Sequence, residues 1–85
     1  MTNKINNKEI DKKVIECLKK TFPKTKFKKK IHNLKMGDIE KWDSIGNLNL
    51  IFEVEKSFKV RFKAKDFNKI ISIKDIIHYI KKLSK

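Results

Sequence analysis

A single cysteine, Cys17, leaves the chain without an internal disulfide framework and suits a reducing compartment. One proline and two glycines exclude collagen-like and Gly/Pro-rich linker sequence and favour long uninterrupted elements. Long apolar runs are missing as well: none approaches the ~18 residues of a membrane span, and the first residues lack a signal-peptide core. Arginine is nearly absent. Of 23 basic residues only Arg61 is one, and arginine is the side chain favoured for bidentate phosphate and guanine contacts. With 85 residues there is room for one domain, residues 1–85, and none for a second core or a catalytic subdomain. These absences predict a small soluble helical domain of the cytoplasm, monomeric, with residues 1–6 as a candidate flexible end.

What is present is apolar mass and lysine. Hydrophobic residues make up 39% of the chain, six of them phenylalanine, which is enough for a core and argues against wholesale disorder. The net charge is +13, and it is uneven. Residues 1–41 carry 13 basic and 5 acidic groups, residues 63–85 carry 7 and 2, and residues 42–62 carry 3 and 3. The middle of the chain tolerates less lysine than its flanks. Lysine, asparagine and isoleucine share A/T-rich codons, so composition alone accounts for much of the charge. Electrostatics leaves one competing function open, a basic nucleic-acid-binding domain with salt-sensitive, sequence-indifferent affinity.

Helical spacing of Ile10, Val14, Cys17 and Leu18 predicts a first helix from about Asn7 to Lys20, ended by Pro23, with Cys17 in the core. Lys24 to Asp43 has no sustained period. It reads as a long loop, with Lys28, Lys29 and Lys30 as a solvated run and Ile31, Leu34, Met36 and Ile39 pinned to the domain. Ser44 to Ser57 reads as the second helix, with cap chemistry from Asp43 and Ser44. Its apolar arc is wide and split: Leu50, Ile51, Val54 and Phe58 form one side, Ile45, Leu48 and Phe52 the other, with Glu55 between. Either both sides are buried, or one serves the core and the other a partner or ligand. Val60 and Phe62 fall in a short extended connection, and Lys65 to Lys69 form a short third helix with Phe67 inward. Ser72-Ile73-Lys74-Asp75 matches a capping box, followed by Ile73, Ile76, Ile77, Ile80 and Leu83 at helical spacing.

Catalytic and metal signatures are lacking. There is no glycine-rich phosphate loop, zinc-ligand cluster or Ca²⁺ loop, and His32 and His78 stand far apart without a third ligand. Nothing orients Cys17 with a histidine as a nucleophile pair. The expectation is a non-enzyme that binds no metal.

The informative stretch is Trp42-Asp43-Ser44-Ile45-Gly46, followed by Asn47-Leu48-Asn49-Leu50-Ile51. It resembles the phosphopantetheine attachment motif of acyl and peptidyl carrier proteins, in which a modified serine follows aspartate and precedes a hydrophobic residue. Glu53 to Phe62 is similar to the end of that family's second helix, and Ser72-Ile73-Lys74-Asp75-Ile76 to the start of its last. The likeness covers nearly the whole domain, most strongly Trp42 to Leu83. It implies an all-α, four-helix acyl-carrier-like bundle with a long loop between helices 1 and 2 and a short third helix. It also implies a 4'-phosphopantetheine arm on Ser44, flanked by Asp43, Ile45 and Gly46, that holds an acyl, aminoacyl or related group as a thioester.

A carrier serine needs no base of its own, because a separate phosphopantetheinyl transferase activates it. The phosphodiester would sit near helix N-terminal amides, which favour negative charge, and Gly46 would leave the surface beside the arm bare. Ile45, Leu48, Phe52, Glu53 and Glu55 are the expected partner face toward loading and acyl-transfer enzymes. Leu48, Ile51, Phe62, Ile71 and Ile76 are the expected lining of a cargo cleft. The chain departs from the family in charge. Gly46, Asn49 and Lys56 stand where carriers commonly have acids, which points to dedicated partners. The Trp-Asp-Ser form resembles discrete carriers of specialised biosynthesis or surface-polysaccharide modification. A carrier-like scaffold that stays unmodified and only binds proteins is the remaining alternative.

Overall fold

The stripe of Ile10, Val14, Cys17 and Leu18 is buried along one side of α1 (Asn7–Thr21), as the spacing predicts. These positions come from a computed structural model that describes residues 7–24 and 30–83. The candidate flexible end, residues 1–6, and Lys28 and Lys29 of the lysine run lie outside the described residues; Lys30 is exposed. The helix stops two residues before Pro23, and Lys24 takes a left-handed conformation (φ 67°) as the chain turns.

The long connection is tied down by its own backbone. A 3₁₀ turn spans Ile31–Asn33, and His32 Nε2 lies 3.1 Å from Asp11 Oδ2 on α1. Leu34 and Ile39 enter the core, while Ile31 and Met36 pack against it. Met36 N–H donates to Ile71 O at 2.7 Å and Ile73 N–H to Leu34 O at 3.0 Å, around a single antiparallel bridge between Lys35 and Ser72. Gly37 (φ 99°) then lets the loop double back, so that its N–H reaches Trp42 O at 2.9 Å.

α2 (Ser44–Phe58) buries Leu50, Ile51, Val54 and Phe58 and ends at Lys59, whose left-handed conformation closes the helix. An extended link leads through Phe62 to a 3₁₀ helix, Ala64–Lys69, where the sequence predicts its short third helix. α3 (Ile73–Leu83) buries Ile73, Ile76 and Ile80. Ser72 Oγ accepts from Asp75 N–H at 3.0 Å, while the Asp75 carboxylate reaches back one residue further than a capping box does, to Ile71 N–H at 3.1 Å. α1 packs on both α2 and α3. Among the described residues the fold is all-α, and no helix is long and apolar enough to cross a membrane.

Candidate functional site

Ser44 occupies the first position of α2 and is exposed. The helix begins there because Asp43 caps it. The Asp43 backbone is extended (φ −100°, ψ −164°), its Oδ1 accepts from Gly46 N–H at 2.8 Å, and its carbonyl accepts from Asn47 N–H at 2.7 Å. The first-turn amides of Ser44 and Ile45 have no acceptor within the helix, which makes this end favourable to an anion.

The turn that presents Ser44 is built on a buried polar link. Trp42 is fully buried, and its Nε1–H donates to Asn47 Oδ1 at 2.9 Å. Asn47 Nδ2–H donates in turn to Ile70 O at 2.8 Å. One side chain thereby joins the loop before α2, the helix itself and the exit of the 3₁₀ helix. The Phe22 ring lies 5.8 Å from the Trp42 ring. In the sequence Asn47 stands only as part of the stretch that follows Gly46. The available signal was a polar residue inside the stripe of Leu50, Ile51 and Val54, beside a tryptophan whose N–H needs an acceptor when buried.

Gly46 does not leave bare surface beside Ser44, as expected, but is buried. A Cβ there would collide with the Lys41 carbonyl oxygen and come within 3.1 Å of the Phe22 ring. The glycine is needed so that α2 can approach the loop backbone closely.

The split arc of α2 resolves into one core side and one open side. Ile45 is 72% exposed, Phe52 52% and Leu48 38%. The two carboxylates expected beside them turn elsewhere. Glu53 is half-buried against α1, with Oε2 3.5 Å from Lys20 Nζ. Glu55 Oε2 accepts from Phe62 N–H at 2.8 Å and so fixes the extended link. Each carboxylate thus has a contact within the protein.

The five cleft residues also separate. Ile51, Phe62 and Ile76 belong to the closed core, whereas Leu48 and Ile71 line a cavity of about 170 Å³ beside Ser44. Met36 and Phe67 complete its apolar wall, and Ser44, Asn47 and Asn68 its polar margin. Larger depressions of about 440 Å³ beside Cys17 and about 420 Å³ beside Arg61 do not reach Ser44. Cys17 is buried, and desolvation pushes its thiol above the ordinary value. No three His, Cys, Asp or Glu side chains converge as a metal set among the described residues.

Comparison with protein-family profiles, curated proteins and solved structures finds no match.

Proposed function

We propose that the chain is a carrier domain, an acyl-carrier-like bundle that holds its cargo on a 4'-phosphopantetheine arm at Ser44. The observation that carries this reading is the exposed Ser44 at the first position of a capped helix, above the Trp42–Asn47–Ile70 link and beside a small, mostly apolar-walled cavity. These residues fit the group. The hydroxyl is accessible to a transferase, the first helical amides favour a phosphodiester, and Leu48, Phe67 and Ile71 offer apolar surface to the adjoining arm. When attached, the arm supplies a terminal thiol that holds an acyl or aminoacyl group as a thioester.

The work of this chain's own residues is positional. Attachment needs Ser44 Oγ to displace the pyrophosphate-linked nucleotide of coenzyme A inside a phosphopantetheinyl transferase. A new O–P bond forms, adenosine 3',5'-bisphosphate leaves, and the serine proton passes to the transferase's base. Asp43 fixes the direction of the first helical turn, Gly46 lets that turn sit close on the loop, and Asn47 holds both against Ile70. The carrier then serves loading and acyl-transfer enzymes of a specialised pathway in the cytoplasm and performs no catalysis of its own.

The test is intact-mass analysis after incubation with coenzyme A and a broadly tolerant transferase. Wild type should gain one phosphopantetheine and Ser44→Ala none. An unchanged wild-type mass rejects the carrier reading, and equal gain by both proteins rejects the site.

A further inference from the structure

The sequence holds one arginine among 23 basic residues, and that arginine lines a depression separate from Ser44. Arg61 and Lys63 stand on either side of Phe62 in the extended link, Lys65 and Lys69 belong to the 3₁₀ helix, and Lys82 lies in the last turn of α3. These five side chains, all exposed, line one hollow of about 420 Å³ together with Tyr79 and a single carboxylate, Asp66. The hollow is anchored through Phe62. That residue is buried, its N–H donates to Glu55 Oε2 at 2.8 Å, and its ring meets the Tyr79 ring edge-on with centroids 6.2 Å apart. In extended backbone the two neighbours of a buried residue share the opposite side, which sets Arg61 and Lys63 together. Lys82 Nζ lies 5.5 Å from the Tyr79 ring centroid, a cation–π contact that holds its amine at the hollow.

None of the five cations is in an ion pair among the described residues. The depression beside Cys17 differs: Glu16 lines it along with Lys19 and Lys20, and Lys20 is paired with Glu53. Like charges gathered from three segments repel one another, and a bound anion relieves that repulsion. We infer that the hollow at Arg61 binds a small molecule carrying linked phosphate groups, the chemistry shared by inorganic polyphosphate and nucleoside polyphosphates. Five cations against one carboxylate leave a surplus of four positive charges, which two phosphate groups at about −2 each offset. The Arg61 guanidinium supplies the planar fork that pairs with two phosphate oxygens at once, while the lysines act as point charges. A nucleic-acid strand needs a long track of cations and open aromatic faces, whereas Lys82 already sits over the Tyr79 ring. The hollow shares no lining residue with the cavity beside Ser44, so it stands or falls apart from the carrier reading.

The test uses the unmodified full chain, with inorganic tripolyphosphate and ATP as probes in titration calorimetry and ¹⁵N-resolved NMR. Both should bind, weaken as salt rises, and shift the amides of Arg61, Lys63, Lys69 and Lys82. Tighter binding of ATP assigns the site to nucleotides, and equal binding assigns it to the phosphate chain alone; either upholds it. Lys69→Glu with Lys82→Glu should weaken binding about tenfold or more, with far-UV circular dichroism unchanged. Lys35→Glu with Lys74→Glu changes the net charge equally at the other end of α3, and should leave affinity within about twofold. Arg61→Lys keeps the charge but removes the fork; its several-fold loss carries the test if the first double variant fails to fold. The inference is overturned if neither probe binds, if the two double variants lose affinity equally, or if a glutamate oligopeptide or a thymidine oligonucleotide binds more tightly at these amides.

Discussion

Asn47 accepts the Trp42 indole N–H at 2.9 Å through Oδ1 and donates to Ile70 O at 2.8 Å through Nδ2, so both ends of one buried amide are used. Each bond joins a different segment to α2, which makes Asn47 the brace of the Ser44 turn. An unsatisfied buried group costs about 1–3 kcal/mol, and Asn47→Ala leaves two. The expected loss is about 2–6 kcal/mol, a large part of the stability of so small a domain. Urea unfolding followed by Trp42 fluorescence and circular dichroism measures it. A midpoint close to wild type would mean that water or a shifted side chain replaces both bonds.

Gly46→Ala separates helix propensity from packing. Alanine favours a helix interior by ~1 kcal/mol over glycine. Here its Cβ would strike the Lys41 carbonyl, a backbone atom that moves only if the loop moves. The clash should win, with a net loss of about 1–3 kcal/mol in chemical denaturation. A stabilised variant would show that the approach of α2 to Lys41 is looser than the structure has it.

The elements that could be read from sequence are those in which periodicity alone decides burial. α1 and α3 follow the spacing of Ile10, Val14 and Leu18, and of Ile73, Ile76 and Ile80, because each presents one stripe to one core. The split of α2 was legible for the same reason, and the exposed trio lies where the pattern puts it. Contacts made by the loop were not legible. Gly46 looks like open surface until Lys41 folds onto it. Glu53 and Glu55 look like outward charges until Lys20, from α1, and the Phe62 amide, seven residues beyond Glu55, meet them. Asn47 is hidden because apolar spacing carries no signal for the polar residue the core itself requires.

Cys17 should be inert. It is 1% exposed, and burial raises its thiol from 9.0, so little thiolate is available to an alkylating reagent. If Ser44 carries the proposed arm, a maleimide or disulfide reagent should label the arm thiol rapidly, and Cys17 only after denaturant is added. The raised value also sets a sign for stability. Below pH 9 the thiol is protonated in both states and has no effect. As pH rises past 9 the unfolded chain loses that proton first, and stability falls. Cys17→Ala should remove this alkaline contribution from a urea-midpoint profile, although it also leaves a small cavity that lowers the whole curve. An alkaline slope unchanged in the variant would assign the loss to other groups.

On the proposed carrier reading, the cavity beside Ser44 would limit what cargo the protein can shelter. Its volume is about 170 Å³; Ile51, Phe62 and Ile76 are buried and do not line it, and Asn47, hydrogen-bonded through both Oδ1 and Nδ2, stands at its margin. A cavity of about 150 Å³ accepts a molecule the size of benzene, so roughly six carbons fit here. Each methylene buried contributes at most about 0.8 kcal/mol before its ordering cost. In a domain of this size 1 kcal/mol corresponds to a shift of about 4–8 °C in the thermal midpoint. Butyryl and hexanoyl forms should therefore melt a few degrees above the holo protein, while octanoyl and dodecanoyl forms gain nothing more, because their added methylenes stay in water. A small polar aminoacyl group should leave the midpoint near the holo value. Differential scanning calorimetry across this series reads the depth of the cavity directly. A midpoint that keeps climbing to dodecanoyl would mean that the seam between Ile51, Phe62 and Ile76 opens to take the chain. No rise at any length would place the cargo wholly outside.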